Sequence, residues 1–541
     1  MPTLWQNALV IALDDEHGAE PFRADVLIDA DRITAVTAPY GCPLPPALDP
    51  SEIIAAPAPA TSTSTSTLTA TATSAAAAGA ATGPTHVIDA TGLLLHPGFV
   101  NAHTHSWEIL LRGTSDPLPL EVWTLLSYPP ADVDPVPERL VYLRTAVAAI
   151  ESLRGGVTTV LDDTGELPDA TPATFTQVLK AYADAGIRAT CTGTAVDVPM
   201  VDRLAYAEDV LPPALIEASR AAMPPSAAIQ DAYLAFCAEA RELAARHGDG
   251  RLRYAVAPSA PQRVTDELLL RTAAEAREHG EVLHTHLLET KLQQQLARTR
   301  YEGRTIVQHL HDLGVLGPNL VLAHGIWLTP GDLDLLAASG ATVVHNPLSN
   351  LKLGSGVLAW RALHDAGVRV ALGTDGASSN DSLRMHEVIK AAATLHTLTD
   401  PDYRQWPTVA EVLHAATVAG ARAAGWADTV GAIAPGLKAD LVVVDLTRDT
   451  AFTPLNDAAR QLVFAENGSS IHQVWVDGRL VVEDGRCTRI DDLALLAEFR
   501  REAAAYLARV PSWRARQTEI EPYVREAHLR AWAEDAEGEH P

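Results

Sequence analysis

Short apolar runs alternate with amphipathic segments along most of this 541-residue chain. The runs have the length and β-branched content of buried strands, and the segments between them have the apolar spacing of helices. Eight such runs are found, at about 98–105, 157–163, 187–194, 252–258, 282–286, 319–324, 341–346 and 369–375. Eight parallel strands with intervening helices close a barrel, so the pattern predicts an α/β fold built on a (β/α)8 TIM-like barrel over residues 97–432.

Two of the predicted helices carry recognisable end signals. Thr329 offers an N-cap before Pro330, with an acidic residue at Asp332, and Gly340 supplies a stop. Thr408 and Glu411 form a second capping box, which predicts a helix that continues to about residue 424.

Polar residues stand where several predicted strands end. His103 and His105 lie two positions apart, so in an extended chain both side chains face the same way. A His-x-His pair is by itself as often structural as metal-binding, but further candidates follow later strands in order: His284, His286, Glu289, His324 and Asp375. Because strand ends of a (β/α)8 barrel converge on one face, these residues predict a metal site there.

Five motifs in this order resemble one enzyme superfamily. They are Pro97–His105, His286–Thr290, His345–Asn350, Gly373–Gly376 with Ser379–Asp381, and Gly436–Val442. Together they resemble the amidohydrolase superfamily, and within it the branch of cytosine and guanine deaminases, S-adenosylhomocysteine deaminases and triazine hydrolases. The resemblance covers nearly the whole chain apart from one insertion and the C-terminal tail.

The resemblance implies a specific set of site residues. The metal ligands would be His103, His105, His286 and Asp375, and the catalytic acid–base groups would be Glu289, His324 and Asp375. Geometry alone does not choose between His284 and His286. We take His286 because the ligand in this superfamily stands three residues before the glutamate, which leaves His284 one layer deeper as a structural residue.

The expected cofactor is one divalent metal ion. Members of the superfamily with two ions bridge them through a carboxylated lysine at the end of the fourth strand, and the fourth predicted strand here contains no lysine. Zinc suits three imidazoles and a carboxylate, although iron, manganese or cobalt would fit the same ligands.

The expected substrate is a small nitrogen heterocycle. Deaminases that act on S-adenosylhomocysteine usually carry Ala-Pro-His-Ala-Pro where this chain has Ala257–Pro261 with Ser259 in the middle, and this difference weakens an adenosine-like assignment. The candidate substrate-binding residues are Trp107, Arg112, Gln262, Trp327 and His345. His345 stands at a strand end and would either contact substrate or pack in the core.

The predicted function is a metal-dependent hydrolase that uses activated water to displace ammonia from a carbon of a purine, pterin, pyrimidine or triazine. The first alternative is hydrolysis of a cyclic amide C–N bond, as in imidazolonepropionase or dihydroorotase. The second is dechlorination or dealkylamination of a heteroaromatic ring, which uses the same attack geometry. A binding scaffold without activity would have lost a ligand, and none is missing here.

The composition of the chain narrows the expected classes of binding partner and the expected cellular compartment. The net charge of −27 argues against nucleic acid and anionic membranes, which would repel the chain. The 4 cysteines are too scattered for a disulfide framework or a Cys-x-x-Cys metal site. No basic segment precedes a signal-like apolar stretch, so we expect a cytoplasmic enzyme, and we expect a homodimer.

The chain ends are predicted to build one small β-sandwich domain around the barrel. Residues 1–96 and 433–490 alternate like strands, and 491–541 is helical by composition. Within the N-terminal part, residues 43–84 are rich in alanine, threonine, serine and proline. Such a composition lacks large apolar side chains, so this insertion is expected to be a flexible surface loop with no part in catalysis.

Overall fold

Two sheets organise the chain, which is described here from a computed structural model over residues 2–38, 85–130, 133–165 and 170–536. The insertion predicted at 43–84 lies outside these residues. In chain order the strands are β1 (Thr3–Val10), β2 (Phe22–Asp29), β3 (Arg32–Thr37), β4 (His86–Asp89), β5 (Leu93–Pro97), β6 (Phe99–His105), β7 (Val157–Asp162), β8 (Arg188–Ala195), β9 (Leu252–Pro258), β10 (Leu283–Leu287), β11 (Leu320–His324), β12 (Thr342–His345), β13 (Arg369–Leu372), β14 (Asp375–Gly376), β15 (Leu441–Asp445), β16 (Ile471–Val476), β17 (Arg479–Glu483) and β18 (Arg486–Cys487).

Helices separate the barrel strands and form the C-terminal tail. In chain order they are α1 (Leu120–Ser127), α2 (Glu138–Arg154), α3 (Pro172–Ala185), α4 (Ala207–Val210), α5 (Pro213–Ala222), α6 (Ser226–His247), α7 (Asp266–His279), α8 (Lys291–Arg300), α9 (Ile306–Asp312), α10 (Pro330–Ser339), α11 (Pro347–Lys352), α12 (Trp360–Asp365), α13 (Met385–Leu395), α14 (Val409–Ala415), α15 (Val418–Ala423), α16 (Ala458–Phe464), α17 (Asp492–Leu507), α18 (Val510–Thr518) and α19 (Glu521–Ala536).

The predicted TIM-like barrel is confirmed. Strands β6 to β13 pair side by side in chain order, and every pair is parallel. The eighth strand is interrupted after Leu372 and resumes as β14, where Asp375 pairs with Thr104 and Gly376 with His105 of β6. This pairing closes the sheet on itself, so the carboxyl ends of all eight strands face one mouth.

The second sheet joins the two chain ends, as the alternating pattern predicted. Its order is β18-β17-β16-β15-β5-β1-β2-β3, with β4 also paired to β1. Strand β5 is the link, because it pairs parallel to β1 and antiparallel to β15. Since β5 leads directly into β6, the sheet lies against the barrel end where the strands begin.

Side chains inside the barrel fill its lower part and leave the polar residues at the mouth. Small and branched apolar residues from β6, β7, β9, β11, β12 and β13 form one buried cluster, which includes Val100, Ala102, Leu161, Ala255, Val321, Val344 and Ala371. A filled interior of this kind makes the barrel a packed core rather than a channel.

The capping boxes predicted for α10 and α14 are both present, but the second predicted helix ends earlier than expected. Thr329 caps α10 in a capping box with Asp332, and Gly340 follows the helix with a φ of 70°. The helix predicted from Thr408 to about 424 is instead two helices, because α14 ends at Ala415 and α15 begins at Val418. In the parts of the chain described above, no helix is long and apolar enough to cross a membrane.

Candidate metal centre and acid–base pair

Three imidazoles and one carboxylate converge at the mouth of the barrel. Oδ1 of Asp375 lies 3.3 Å from Nε2 of His103 and 3.2 Å from Nε2 of His105. Nε2 of His286 lies 3.4 Å from Nε2 of His105. The strand ends β6, β10 and β14 therefore bring together the ligand set predicted from sequence.

The opposite ring nitrogen of each histidine has a fixed partner. Nδ1 of His105 lies 2.8 Å from the backbone oxygen of Asp163, and Nδ1 of His286 lies 2.7 Å from that of Ser259. A carbonyl only accepts, so both histidines donate through Nδ1 and present a bare Nε2 to the centre. Nδ1 of His103 is 3.0 Å from Nε2 of His284, which can accept in the same way.

These residues fit a divalent metal ion. The Nε2 atom of His103 is buried and has no hydrogen-bond partner, although buried polar atoms are nearly always paired. Histidines oriented by a carbonyl or by another acceptor on the far nitrogen are the usual surroundings of a metal site. His103, His105 and Asp375 lie close enough together to share one ion, with ligand atoms within 4.8 Å of one another.

Asp375 is held as an anion by its surroundings. Burial alone would raise the pKa of its carboxyl group, but the adjacent rings of His103 and His105 hold this pKa well below its usual range. The hydroxyl of Ser349 donates to Oδ2 at 2.5 Å. Asp375 also has a φ of 59°, a left-handed conformation that costs free energy in a residue other than glycine.

Glu289 and His324 form a pair beside the ligands. Nε2 of His324 lies 3.6 Å from Oε2 of Glu289, and the other carboxylate oxygen of Glu289 is buried without a partner. Nδ1 of His324 donates to Oδ1 of Asn350 at 3.0 Å, which directs Nε2 into the site.

Burial shifts the protonation of both members of this pair. Desolvation, together with the negative charge of Asp375, raises the pKa of Glu289 well above its usual range. Desolvation also lowers the pKa of His324 to about 4. Both shifts disfavour the charged form, so burial favours a protonated carboxyl group next to a neutral imidazole, which is a proton donor next to a proton acceptor.

The family follows from a direct comparison of sequences. Residues 94–481, well over half of the chain, match the amidohydrolase family. The chain belongs to the amidohydrolase family. The predicted superfamily and the predicted enzyme class, a hydrolase that acts on C–N bonds, are both confirmed.

Curated relatives match most of this amidohydrolase. The 5'-deoxyadenosine deaminase of Methanosarcina mazei is 33% identical over 426 residues, which are 79% of this chain and 89% of that protein. The 5-methylthioadenosine/S-adenosylhomocysteine deaminase of Thermococcus kodakarensis is 34% identical over 399 residues, which are 73% of this chain and 84% of that protein.

Solved structures share the fold. An adenosine deaminase from Xanthomonas campestris with bound zinc superposes with a TM-score of 0.73 at 27% identity, covering 94% of this chain and 98% of that one. A triazine hydrolase from Arthrobacter aurescens gives a TM-score of 0.73 at 22% identity, covering 93% of this chain and 99% of that one, and at this identity it shows the fold alone.

Two predicted substrate-binding residues of this amidohydrolase each have a buried polar atom without a hydrogen-bond partner. The ring of Trp107 lies 6.3 Å from the ring of His105, and its indole N–H is buried without a partner. Gln262 follows β9 in a short turn, Pro261–Arg263, where its Oε1 is buried and also unpaired. Both residues can therefore offer a polar atom to a bound molecule.

The other three predicted substrate-binding residues have partners elsewhere. Arg112 forms an ion pair of 2.5 Å with Glu151. His345 lies two residues after Val343, whose side chain packs in the outer core, and its own ring lies 5.2 Å from the ring of His396. Trp327 donates its indole N–H to the backbone oxygen of Ser355 at 2.9 Å. The structure thus does not bring Arg112 or His345 to the converging group.

Several polar residues that support the site were not identified from sequence. Asp163 lies within ligand distance of His105 and His286, and Thr192 and Thr194 donate to its Oδ1. Asp163 lies directly after β7, so it occupies the same kind of strand-end position as the predicted histidines. Ser349 and Asn350 lie in a quoted motif, but their contacts with Asp375 and His324 depend on how α11 packs over the mouth.

Proposed function

We propose that this amidohydrolase removes ammonia from a carbon of a nitrogen heterocycle by metal-dependent hydrolysis. The observation that carries the proposal is the pair Glu289 and His324, which lies against the ligand set with one proton donor and one proton acceptor facing inward. Deamination needs both, since a proton must leave the attacking water and another must reach the departing side of the ring.

The ion would be held by His103, His105, His286 and Asp375. When bound, a divalent ion lowers the pKa of water from about 15.7 toward 7, which supplies a nucleophile at neutral pH. Zinc is the proposed metal because three neutral imidazoles and one carboxylate suit it, and the Xanthomonas campestris relative contains zinc. One ion is proposed, since β9 contains no lysine.

Asp375 and Glu289 carry out the proton transfers, and His324 orients the attacking oxygen. Asp375 accepts a proton from the attacking water, whose oxygen bonds to the ring carbon. Glu289 gives its proton to the ring nitrogen beside that carbon. The proton held by Asp375 then passes to the amino group, and the new hydroxyl group on the carbon returns a proton to Glu289. The C–N bond breaks as ammonia departs and leaves a carbonyl group on the ring. His324 is neutral, and because its Nδ1 is occupied by Asn350, it orients the attacking oxygen through Nε2.

The class of heterocycle is proposed from the names of the relatives and from the residues near the end of β9. Relatives named for 5'-deoxyadenosine and 5-methylthioadenosine favour a 6-aminopurine nucleoside. Ser259, which replaces the histidine usual in such enzymes, favours a different contact at this position. We propose that Trp107 and Gln262 bind the ring, the first through its flat face and the second through its unpaired amide oxygen.

An ammonia-release assay tests the proposal. Zinc-loaded protein is incubated with amino-substituted purine nucleosides, pterins, pyrimidines and triazines, and ammonia and the ring product are both measured, with the Glu289→Gln protein as the matched control. We expect stoichiometric ammonia and an intact ring from one class, at a rate that the control lacks. Ring opening of a cyclic amide without ammonia, or release of chloride or alkylamine alone, would replace deamination by the corresponding alternative. A homodimer and a cytoplasmic location stay predictions.

A further inference from the structure

The C-terminal helix α19 packs on the loop side of the barrel. Ala527 and Ala531 are fully buried against Leu292 of α8, and Val524 packs against Val122 and Leu125 of α1. Helix α8 follows β10 and α1 follows β6, so α19 contacts the segments that follow two of the histidine-bearing strands.

An aromatic clamp, formed by Lys291, Trp327 and Trp532, joins α19 to α8 and to the loop that follows β11. The ammonium group of Lys291, the first residue of α8, lies 5.0 Å from the ring centre of Trp327 and 4.9 Å from that of Trp532 in α19. The two indole rings meet edge to face at 5.6 Å. A cation between two aromatic rings is a stabilising arrangement, more so where the cation is buried, as Lys291 is.

The clamp is tied directly to the turn that carries Glu289. The backbone N–H groups of Ile326 and Trp327 donate to the oxygen of Leu288 at 3.1 and 3.3 Å. Leu288 has a φ of 44°, a left-handed conformation that an L residue keeps only where its surroundings hold it. Lys291 follows Glu289 by two residues, so the clamp fixes the turn from both sides.

A second connection reaches the same turn from α19. The hydroxyl of Thr290 donates to Oε1 of Glu121 in α1 at 2.5 Å, and Nδ1 of His528 in α19 lies 4.0 Å from the other oxygen of Glu121. Two routes, one aromatic and one polar, therefore lead from α19 to the residues on either side of Glu289.

We infer that α19 is a positioning element for catalysis, in which Trp532 holds the Glu289 turn through Lys291 and Trp327. The inference rests on the proposed proton-transfer role of Glu289. The ring and cation contacts of Trp532 are with Trp327, Lys291 and His528, none of which is a proposed ligand. Its contribution therefore goes to the position of the Glu289 carboxyl group rather than to metal binding.

The test compares Trp532→Ala with Trp532→Phe and with a control on the same helix, Leu529→Ala, whose side chain is 44% exposed. We expect Trp532→Ala to lower kcat by about 10-fold to 100-fold, because a displacement of about 1 Å in a catalytic group costs up to about 100-fold. KM, zinc content and Tm should change little. Phenylalanine keeps an aromatic face and should restore most of kcat, and Leu529→Ala should match the wild type.

The same substitution in a Glu289→Gln background separates positioning from general damage. If Trp532 acts through Glu289, then Trp532→Ala lowers kcat far less in the double variant than alone, because effects of residues that act as a unit are not additive. Equal losses in both backgrounds, a loss of zinc with a lower Tm, or an unchanged kcat would each overturn the inference. Wild-type turnover of Glu289→Gln alone would instead overturn the proposed function.

Lys291→Met gives an independent variant in case Trp532→Ala does not fold. It keeps an unbranched side chain of similar length but removes the charge between the rings. We expect it to lower kcat in the same direction with zinc content unchanged, and wild-type kcat in this folded variant would count against the clamp.

Discussion

Two clusters of buried charged side chains, one at each end of the barrel, differ in how completely their members are paired. At the end where the strands begin, Arg188 is 1% exposed and donates to both oxygens of Asp440 at 2.9 and 3.0 Å. A third hydrogen bond of 3.3 Å reaches Asp477, whose N–H donates to Asp440 at 2.7 Å. This network links β8 to the chain-end sheet and leaves these charges matched.

The cluster at the mouth, by contrast, contains several buried polar atoms without a hydrogen-bond partner. Nε2 of His103, Oε1 of Glu289 and Oε1 of Gln262 are all buried and lack a hydrogen bond. Unpaired buried polar atoms cost folding free energy, so a chain that keeps several together gains something other than stability from them. The comparison indicates that the closed network joins two parts of the fold, whereas the open cluster is built to receive a ligand.

Removal of a metal ligand should have the largest effect on turnover, and it should disrupt only the open cluster at the mouth. We expect His286→Ala to lose its zinc and its turnover while the protein stays folded, because the outer nitrogen of His286 bonds only to a backbone oxygen. Zinc content by elemental analysis, turnover and Tm are measured together. The control is His311→Ala at an exposed position, and an active, zinc-loaded His286→Ala protein would contradict the ligand assignment.

Glu289→Gln should separate chemistry from metal binding within the same cluster. Turnover is expected to fall by about 10²–10⁴-fold, the usual value of general acid–base catalysis, because the amide cannot transfer the proton. Zinc content should stay at the wild-type level. His324→Asn should behave alike, and Glu278→Gln on the surface is the control. Loss of zinc in Glu289→Gln would reassign this residue to the ligand set.

Arg188→Met should break the closed network and leave the open one intact. Breaking a buried ion pair from one side costs about 3–5 kcal/mol of unfolding free energy, since Asp440 would remain as an uncompensated charge. Urea unfolding measures this loss, and turnover per folded molecule should be unchanged. The control is Arg220→Met, in an exposed ion pair with Asp202. A selective loss of turnover without loss of stability would show that the two ends are coupled.

Stability should also depend on pH through buried histidines away from the ligands. Desolvation lowers the pKa of His96 to about 3 and those of His386 and His396 to about 4, against 6.5 as the ordinary value. Between about pH 6.5 and 4 these histidines bind protons in the unfolded chain but stay neutral in the native state. The free energy of unfolding therefore falls as the pH falls through this window. Urea unfolding of metal-free protein at pH 7 and pH 5 measures the slope, which His386→Met should reduce, and an unchanged slope would exclude His386 as a contributor.

The smallest effect is expected from deleting residues 46–82. This segment lies within the low-complexity insertion, and halving or doubling a loop changes its closure free energy by only about 0.6 kcal/mol. Turnover and zinc content should match the intact protein. A folded deletion variant without turnover would show that the segment reaches the site.

Much of the site could be predicted because its residues belong to local patterns. His103, His105 and His286 lie at or near strand ends. In a parallel barrel the carboxyl ends of all strands lie at the same mouth, so these residues are expected to lie together. Asp163 follows the same rule after β7, so the rule would have found it too. Trp532 could not be found this way, because nothing in its helix indicates which loops the helix covers.

His324 and His345 show that alternation along a strand does not always predict the direction of a side chain. Both end apolar strands, and by alternation both would point outward, like Leu322 and Val343 two residues before them in the outer core. His324 has a φ of 76°, which turns its side chain into the mouth beside Glu289. His345 keeps the outward direction and packs near Trp360 and His396.

The sequence by itself determined the barrel and the class of enzyme and supplied the candidate ligands, because strand periodicity, the order of polar strand ends and the superfamily motifs are properties of short segments. Only the tertiary structure decided which histidines face inward, which polar partners orient them, and that α19 braces the Glu289 turn. Those outcomes depend on backbone conformations and contacts between residues far apart in the chain, and their free energies do not exist until the segments are packed together.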